Sequence, residues 1–429
     1  GPGRGPTDRR SPDPMRILQL VKWLSPREDS GGKIRSFQLG RILSTFAHVD
    51  VVGFVRPEEP VSGREEHLSH YQELFPIPFR PVVRSCLGVA AWSVGGMSLR
   101  SAGFSASGYH RTVNKILSER HYDAVQVEEL PIMSNLGPLP QNLPVVYSAY
   151  NVESQLSFSI FKRRNSLFPF IAELEHRRTR QEERRAVERS RACLVVSEED
   201  KDSLLRLCPN GANVHVFPNC APERFQPSGG LVARKEILCT GAFGWYANRD
   251  GLIWFIKAVL PLLRERCADA TIRVAGSEIG SSLTRKLKKC GVLVHPDVPD
   301  ILPFLQAARL LVVPLRVGGG TRIKIIEAWA TGTPVVSTST GAQGLNCRPG
   351  ADIVIADQPS LFAEGIRKIL DDDQFYGMLR SEGLKRAQGL RWSTLAAPLK
   401  AVYASLLENG KRSLGNSGKR PTDGERTKG

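Results

Sequence analysis

The eight cysteines of this 429-residue chain, at positions 86, 193, 208, 220, 239, 267, 290 and 347, form no C-x-x-C pair and no Cys/His ligand spacing. A zinc ribbon and a dithiol redox motif are thereby excluded. Cys193 and Cys239 lie in apolar runs and read as reduced packing residues of a cytosolic protein. No stretch of eighteen apolar residues occurs, so no bilayer-spanning helix is expected. The opening GPGRGPTDRRSPDP, residues 1–14, lacks the apolar core of a secretory signal and reads as a disordered leader. Aromatic residues are 7% of the chain and form no stacking platform beside the basic segments, which argues against nucleic acid as a partner. These absences point to the cytoplasm, or to a peripheral position at the inner face of a membrane.

What is plentiful is positive charge. Lys plus Arg number 59 against 43 Asp plus Glu, a formal net charge of +16, so an anionic partner is expected. The excess is spread out. Residues 409–429 hold six basic and two acidic groups in a tail that cannot bury a core, and residues 162–191 hold ten basic and five acidic. The latter stretch reads first as a solvated helix with local ion pairs. An anionic membrane surface is the other candidate for such charge.

From Met15 onward apolar strands alternate with amphipathic helices, the pattern of a doubly wound parallel sheet, and the length allows two such domains. Strands are expected at 16–20, 49–55, 123–127, 144–149, 192–196 and 213–217, then a Pro/Asn/Ser/Gly-rich linker near 218–230. A second alternation follows, with strands at 236–240, 271–275, 292–295 and 310–315 and helices at 251–264 and 281–289. The expected division is an N-terminal Rossmann-like domain over 15–222, a C-terminal one over 223–393, a last helix over 394–408 and a basic tail. Residues 84–118, apolar, glycine-rich and dotted with Arg, read as a helix pair against the first core, or as a lobe that dips Trp92, Leu99 and Phe104 among lipid headgroups.

Residues 311–345, LVVPLRVGGGTRIKIIEAWATGTPVVSTSTGAQGL, carry most of the chemistry. A buried strand runs into Gly318, Gly319 and Gly320, where the missing β-carbons let backbone amides approach a ligand. Thr321 is the expected N-cap of a helix from Ile323. Unpaired amides and a partial positive charge at a helix start suit a phosphate, and Arg322 and Lys324 add full charge. Glu327, farther along, would oppose a phosphate unless it held paired hydroxyls. A nucleotide sugar has a diphosphate and a ribose diol. The stretch has neither the GKS/GKT of a Walker loop nor the GxGxxG of a dinucleotide fold.

This segment resembles the nucleotide-sugar segment of the retaining glycosyltransferases of family four. MRILQLVKWLSPREDSGGKIRSFQL (15–39), YNVES (150–154), VVSEEDKDSL (195–204), VFPNCAPERF (216–225) and ILCTGAFGWYANRDGLIWF (237–255) are similar to further family segments in the same order. The resemblance covers Met15 to about Glu408 and implies an α/β chain with the GT-B fold, two Rossmann-like doubly wound domains facing across a cleft. It implies that Arg322 and Lys324 meet the diphosphate with the amides of Gly319, Gly320 and Thr321. Glu327 would bind the ribose as the later glutamate of an E-x7-E motif. Gly241 and Asn248, in a polar turn, match the donor loop, and Val298 matches a stretch that contacts the base. Gly31 and Gly32, read as a tight loop after the first strand, and Arg35, at the start of the next helix, are candidate donor-phosphate or acceptor contacts.

Two departures stand out. The earlier glutamate of the motif falls on Gly319, and Tyr150 replaces the histidine of the HNVES segment. Tyrosine is a poor base near neutral pH, so Asn151 and Glu153 are the remaining polar candidates beside it. Asp371–Asp373 spells DxD, but between two amphipathic helices it reads as a solvated junction, and neither a metal nor a cofactor beyond the substrate is expected. The reading is an enzyme that moves a hexose from a nucleotide-diphosphate sugar to a lipid-linked or polysaccharide acceptor with retention. The alternatives are a non-catalytic protein of the same fold that binds nucleotide sugar or glycan, and a nucleotide-sugar epimerase.

Overall fold

The computed structural model describes residues 14–25, 27–56, 65–79, 96–104, 107–164, 169–209, 212–227, 229 and 235–416. Among the described residues thirteen strands form two wholly parallel sheets. The first sheet takes β1 (Met15–Trp23), β2 (Ala47–Val55), β3 (Glu73–Pro78), β4 (Ala124–Glu128), β5 (Val145–Ser148), β6 (Ala192–Val195) and β7 (Val214–Val216) in the order β3-β2-β1-β4-β5-β6-β7. The second takes β8 (Glu236–Ala242), β9 (Thr271–Ser277), β10 (Leu293–Pro296), β11 (Leu310–Val313), β12 (Val335–Ser337) and β13 (Val354–Ile355) in the order β10-β9-β8-β11-β12-β13. The central strands are buried throughout, as helices on both faces require, which is why they read as apolar runs without alternation.

The edge strand β3 is absent from the sequence expectations. Its ELFPIP carries Pro76 and Pro78, which cannot donate to a ladder and are tolerated because one side of the strand is unpaired. The helix expected at 251–264 begins earlier, at Tyr246, and is interrupted by a π turn at Phe255–Val259 just before Pro261.

Strand order reverses between β1 and β4 in the first sheet and between β8 and β11 in the second. Ligands of open α/β sheets bind at the carboxyl ends beside such reversals. Here those ends bring Lys22, Trp23, Glu129, Gly241, Ala242 and the Gly318–Thr321 turn to one cleft. Trp392, Leu399, Val402, Tyr403 and Leu406, late in the chain, pack into the first domain's core with Phe37, Leu39 and Ile42. No helix among the described residues is long and apolar enough to cross a membrane.

Trp92 lies outside the described residues. Phe104 is no lipid anchor: it packs on Trp23 and Phe79 with ring centroids 5.6 and 5.4 Å away, against the first core. On the Arg-rich helix Pro169–Glu188, Arg177–Glu173 and Arg184–Glu188 pair at i,i+4. Its Glu175, Glu182 and Glu183 are buried instead and accept from Leu99, Ser98 and Glu153 main-chain amides. The DxD aspartates are also engaged. Asp371 pairs with Lys235 at 3.2 Å, Asp372 caps the following helix through Phe375 N at 2.8 Å, and Asp373 pairs with Arg309.

Candidate active site

The cleft between the sheets encloses about 510 Å³. Its C-terminal wall is built on the glycine turn. Gly320 has φ +63°, and a β-carbon there would lie 2.2 Å from the carbonyl oxygen of Tyr150 and 2.9 Å from Asn151 Oδ1. A β-carbon on Gly319 would already touch Asn151 and Leu156 at 3.3 Å. The glycines therefore let the second domain close against the YNVES segment, and position 319 carries no side chain to grip a sugar.

The helix Ile323–Thr331 is capped at Arg322, which is extended at φ −99°, ψ 101°, rather than at Thr321. Thr321 is occupied elsewhere: its hydroxyl accepts from Asn219 Nδ2 at 2.9 Å. Asn219 in turn accepts from Arg35 Nη1 at 3.0 Å, so one linker amide joins the first helix to the glycine turn. That role is absent from the sequence reading, and the only hint is an Asn after Pro218 between the two sheets.

Arg322 donates from Nη1 to the carbonyls of Gly319 and Gly320, while its Nε and Nη2 are buried without a partner among the described residues. Desolvation lowers its pKa to about 10, although Asp200 opposes the shift. Lys324 donates to the carbonyl of Thr240 and to Asn248 Oδ1 at 3.1 Å. Gly241, at φ +154°, leaves that space open, since a β-carbon would sit 2.9 Å from both Lys324 Nζ and Asn248 Nδ2. Asn248 acts from within the helix Tyr246–Trp254, not from a turn, and ties itself to Ala242 O at 2.9 Å. Glu327 is buried at the cleft floor, and its carboxylate has no hydrogen-bond or ion-pair partner among the described residues. Desolvation raises its pKa to about 7. Val298 lines the same wall.

The wall thus offers unpaired buried donors beside a buried carboxylate, a set that is costly unless a ligand with anionic and hydroxyl groups completes it. Residues 234–372 match the family model of glycosyl transferases group 1. That match contains every C-terminal wall residue named above. Over 119 residues the chain is 36% identical to D-inositol 3-phosphate glycosyltransferase 1 of Catenulispora acidiphila, covering 27% of this chain and 28% of that one. Over 220 residues it is 28% identical to the lipopolysaccharide core biosynthesis mannosyltransferase LpsB of Rhizobium meliloti, covering 46% and 61%. Both matches span less than two thirds of the relative. Among solved structures, sucrose-phosphate synthase from Thermosynechococcus elongatus superposes with TM-score 0.68 at 18% identity, over 92% of this chain and all of that one. Anabaena HepE in complex with UDP-glucose superposes with TM-score 0.62 at 12% identity, over 91% and 100%. The fold is GT-B, with two Rossmann-like domains across a cleft.

The N-terminal wall differs more from expectation. Gly31 and Gly32 form the first turn of the helix Gly31–Ser44 rather than a loop, and this helix start opens on the cleft. Gly32 is held close, since a β-carbon would meet Glu129 Oε1 at 3.4 Å and the Tyr150 ring at 3.7 Å. Arg35 is 1% exposed, lies 5.4 Å from the Tyr150 ring centroid, and leaves Nε and Nη2 buried without partners among the described residues.

Tyr150 lines the cleft and donates to Glu128 Oε2 at 3.0 Å, and burial pushes its pKa far above the ordinary value. It is a fixed hydrogen-bonding group and no base. Asn151 lines the cleft and donates to Glu153 Oε1 at 3.2 Å. Glu153 itself does not reach the cleft; it is buried and paired with Arg100.

Lys324 gives a pH prediction. Desolvation, with Arg322 adding to it, lowers its pKa to about 8. Above that pH the free protein loses the ammonium that a diphosphate would meet. Affinity for a nucleoside diphosphate should therefore fall above pH 8, approaching roughly tenfold per pH unit, and calorimetric titration would show it. In Lys324→Met binding should be weaker at neutral pH and that slope absent.

Proposed function

We propose that this chain is a retaining glycosyltransferase that moves a hexose from a nucleotide-diphosphate sugar to a lipid-linked or polysaccharide acceptor. The observation that carries the reading is the pair of unpartnered donors on Arg322, set beside Lys324 and the buried, unpaired Glu327. A diphosphate satisfies the cations, and a ribose diol satisfies the carboxylate. The same cations stabilise the departing diphosphate as the anomeric bond breaks, which is the part of the reaction where electrostatic catalysis acts most strongly. In this reading they take the role a metal ion has in other sugar transfers. The Tyr150 hydroxyl is committed to Glu128, and in this reading the departing phosphate accepts the acceptor's proton, which goes with transfer on the leaving-group face and hence retention.

The similarity to a lipopolysaccharide core mannosyltransferase and to inositol-phosphate glycosyltransferases supports a polyol or glycan acceptor, and the HepE complex makes UDP-glucose a natural first donor to try. The test is a thermal-shift screen against UDP, GDP and ADP sugars, since a ligand at 100 times its Kd stabilises by about 2.7 kcal/mol. One donor series should shift the wild type, and Glu327→Ala should lose most of that shift. A shift undiminished in Glu327→Ala would refute the site.

A further inference from the structure

The N-terminal wall carries a carboxylate that neither the sequence motifs nor the matched segment, residues 234–372, accounts for. Glu129 follows β4 at the strand-order reversal, lines the cleft, and is 5% exposed. Its backbone sits at φ +69°, a region that side-chain-bearing residues rarely enter and that recurs at functional sites. The conformation is held from both sides. Glu129 N donates to Ser148 O at 3.0 Å, and one carboxylate oxygen, Oε2, pairs with Lys22 and with Arg100 Nη2 at 3.4 Å. The other oxygen, Oε1, has no partner among the described residues and lies over the first turn of the helix Gly31–Ser44.

Four other acidic groups along this cleft are less buried than Glu129 and also have partners. Glu28 accepts from Gln38, Asp29 pairs with Lys33, Glu278 with Arg56 and Asp300 with Arg224. Glu327 stands on the opposite domain. On the N-terminal wall Glu129 is the buried carboxylate, with Oε2 held by two cations and Oε1 without a partner among the described residues. On the opposite side Gly319 has no side chain, and a β-carbon there would press on Asn151 and Leu156 at 3.3 Å.

We propose that Glu129 Oε1 accepts a hydrogen bond from a hydroxyl of the substrate, on the sugar being transferred or on the acceptor, and so orients that sugar or acceptor for reaction. Lys22 and Arg100 are positioning residues that fix its free lone pairs toward the cleft. The inference rests on the nucleotide-sugar reading, and the nucleotide part of the site contains no residue of this cluster.

The experiment compares wild type, Glu129→Gln and Glu129→Gly, using whichever of UDP, GDP or ADP binds the wild type and its glucose ester. Glycine suits φ +69° better than glutamate, so Glu129→Gly removes the carboxylate without demanding a strained backbone. Both variants should bind the free nucleoside diphosphate within twofold of wild type, yet release it from the glucose ester at least 30-fold more slowly. If the gain in affinity from glucose also disappears, the hydroxyl belongs to the donor sugar; if that gain persists while release slows, it belongs to the acceptor or to water standing in for it. Unchanged release in Glu129→Gly would overturn the proposal, as would a parallel loss of nucleotide affinity in both variants. Failure of all three nucleotides to bind the wild type would instead strike the underlying reading.

Discussion

Arg322→Ala is expected to weaken nucleoside diphosphate binding by at least about 100-fold while the ligand-free protein melts at the same temperature or higher. Hydrogen bonds to charged partners contribute about 1.5–3 kcal/mol each, and Arg322 holds two donors, Nε and Nη2, with nothing to bind in the free protein. Losing both interactions with a diphosphate costs roughly 3 kcal/mol or more, which is about two orders of magnitude in Kd. The same two groups are a burden before ligand arrives, because a buried guanidinium with unmet donors has given up water without replacement. Alanine removes that burden, at the loss of the bonds to the Gly319 and Gly320 carbonyls. Calorimetric binding together with a melt in the absence of ligand checks both halves. A variant that melts far lower would mean that Arg322 holds the turn together and that its affinity for anions is incidental.

The second large effect is expected at Gly320. In Gly320→Ala the new β-carbon would lie 2.2 Å from the Tyr150 carbonyl oxygen, a backbone atom with no rotamer to escape into, and the residue would also have to keep φ +63°. Overpacking of this kind costs about 1–3 kcal/mol, and the positive φ adds roughly another 1 kcal/mol. The contact lies between the two domains, so strain is relieved most simply by parting them. The expected result is a larger radius of gyration in small-angle scattering and, under the proposed function, donor turnover reduced more than about 100-fold, because residues of both walls would lose alignment. Gly318→Ala serves as the control. There the β-carbon meets the far end of Arg322, at 1.9 Å from Nη2, which can swing aside. It should disturb nucleotide affinity yet leave the scattering profile unchanged, and equal scattering from both variants would refute the account of Gly320.

The strands of the two sheets were legible wherever burial on both faces produced an apolar run, as at 16–20, 123–127 and 310–315. What sequence periodicity could not supply was the partner of each polar group. Arg35 reads as a candidate phosphate or acceptor contact, but nothing in its neighbourhood says that Tyr150 and Asn219, over one hundred positions downstream, will cover it. Glu153 sits in a recognisable segment, yet Arg100 draws it away from the cleft. Thr321 has the chemistry of a cap, but Asn219 claims its hydroxyl and the helix starts after Arg322. Glu129 gave no signal because a positive φ in a glutamate leaves no trace in composition. Local chemistry was readable, in short, and long-range pairing across two sheets was not.

Glu128, wholly buried, accepts from Tyr150 Oη, Gln19 Nε2 and Gln126 Nε2, and Gln126 Oε1 accepts from Tyr403 Oη at 2.6 Å. A chimera made by exchanging the C-terminal half at the linker, to change the proposed donor preference, would carry Trp392–Leu406 away with the wrong half. The graft should end before Arg391 and return to the native chain, or the tyrosine that lines the cleft loses its distant anchor.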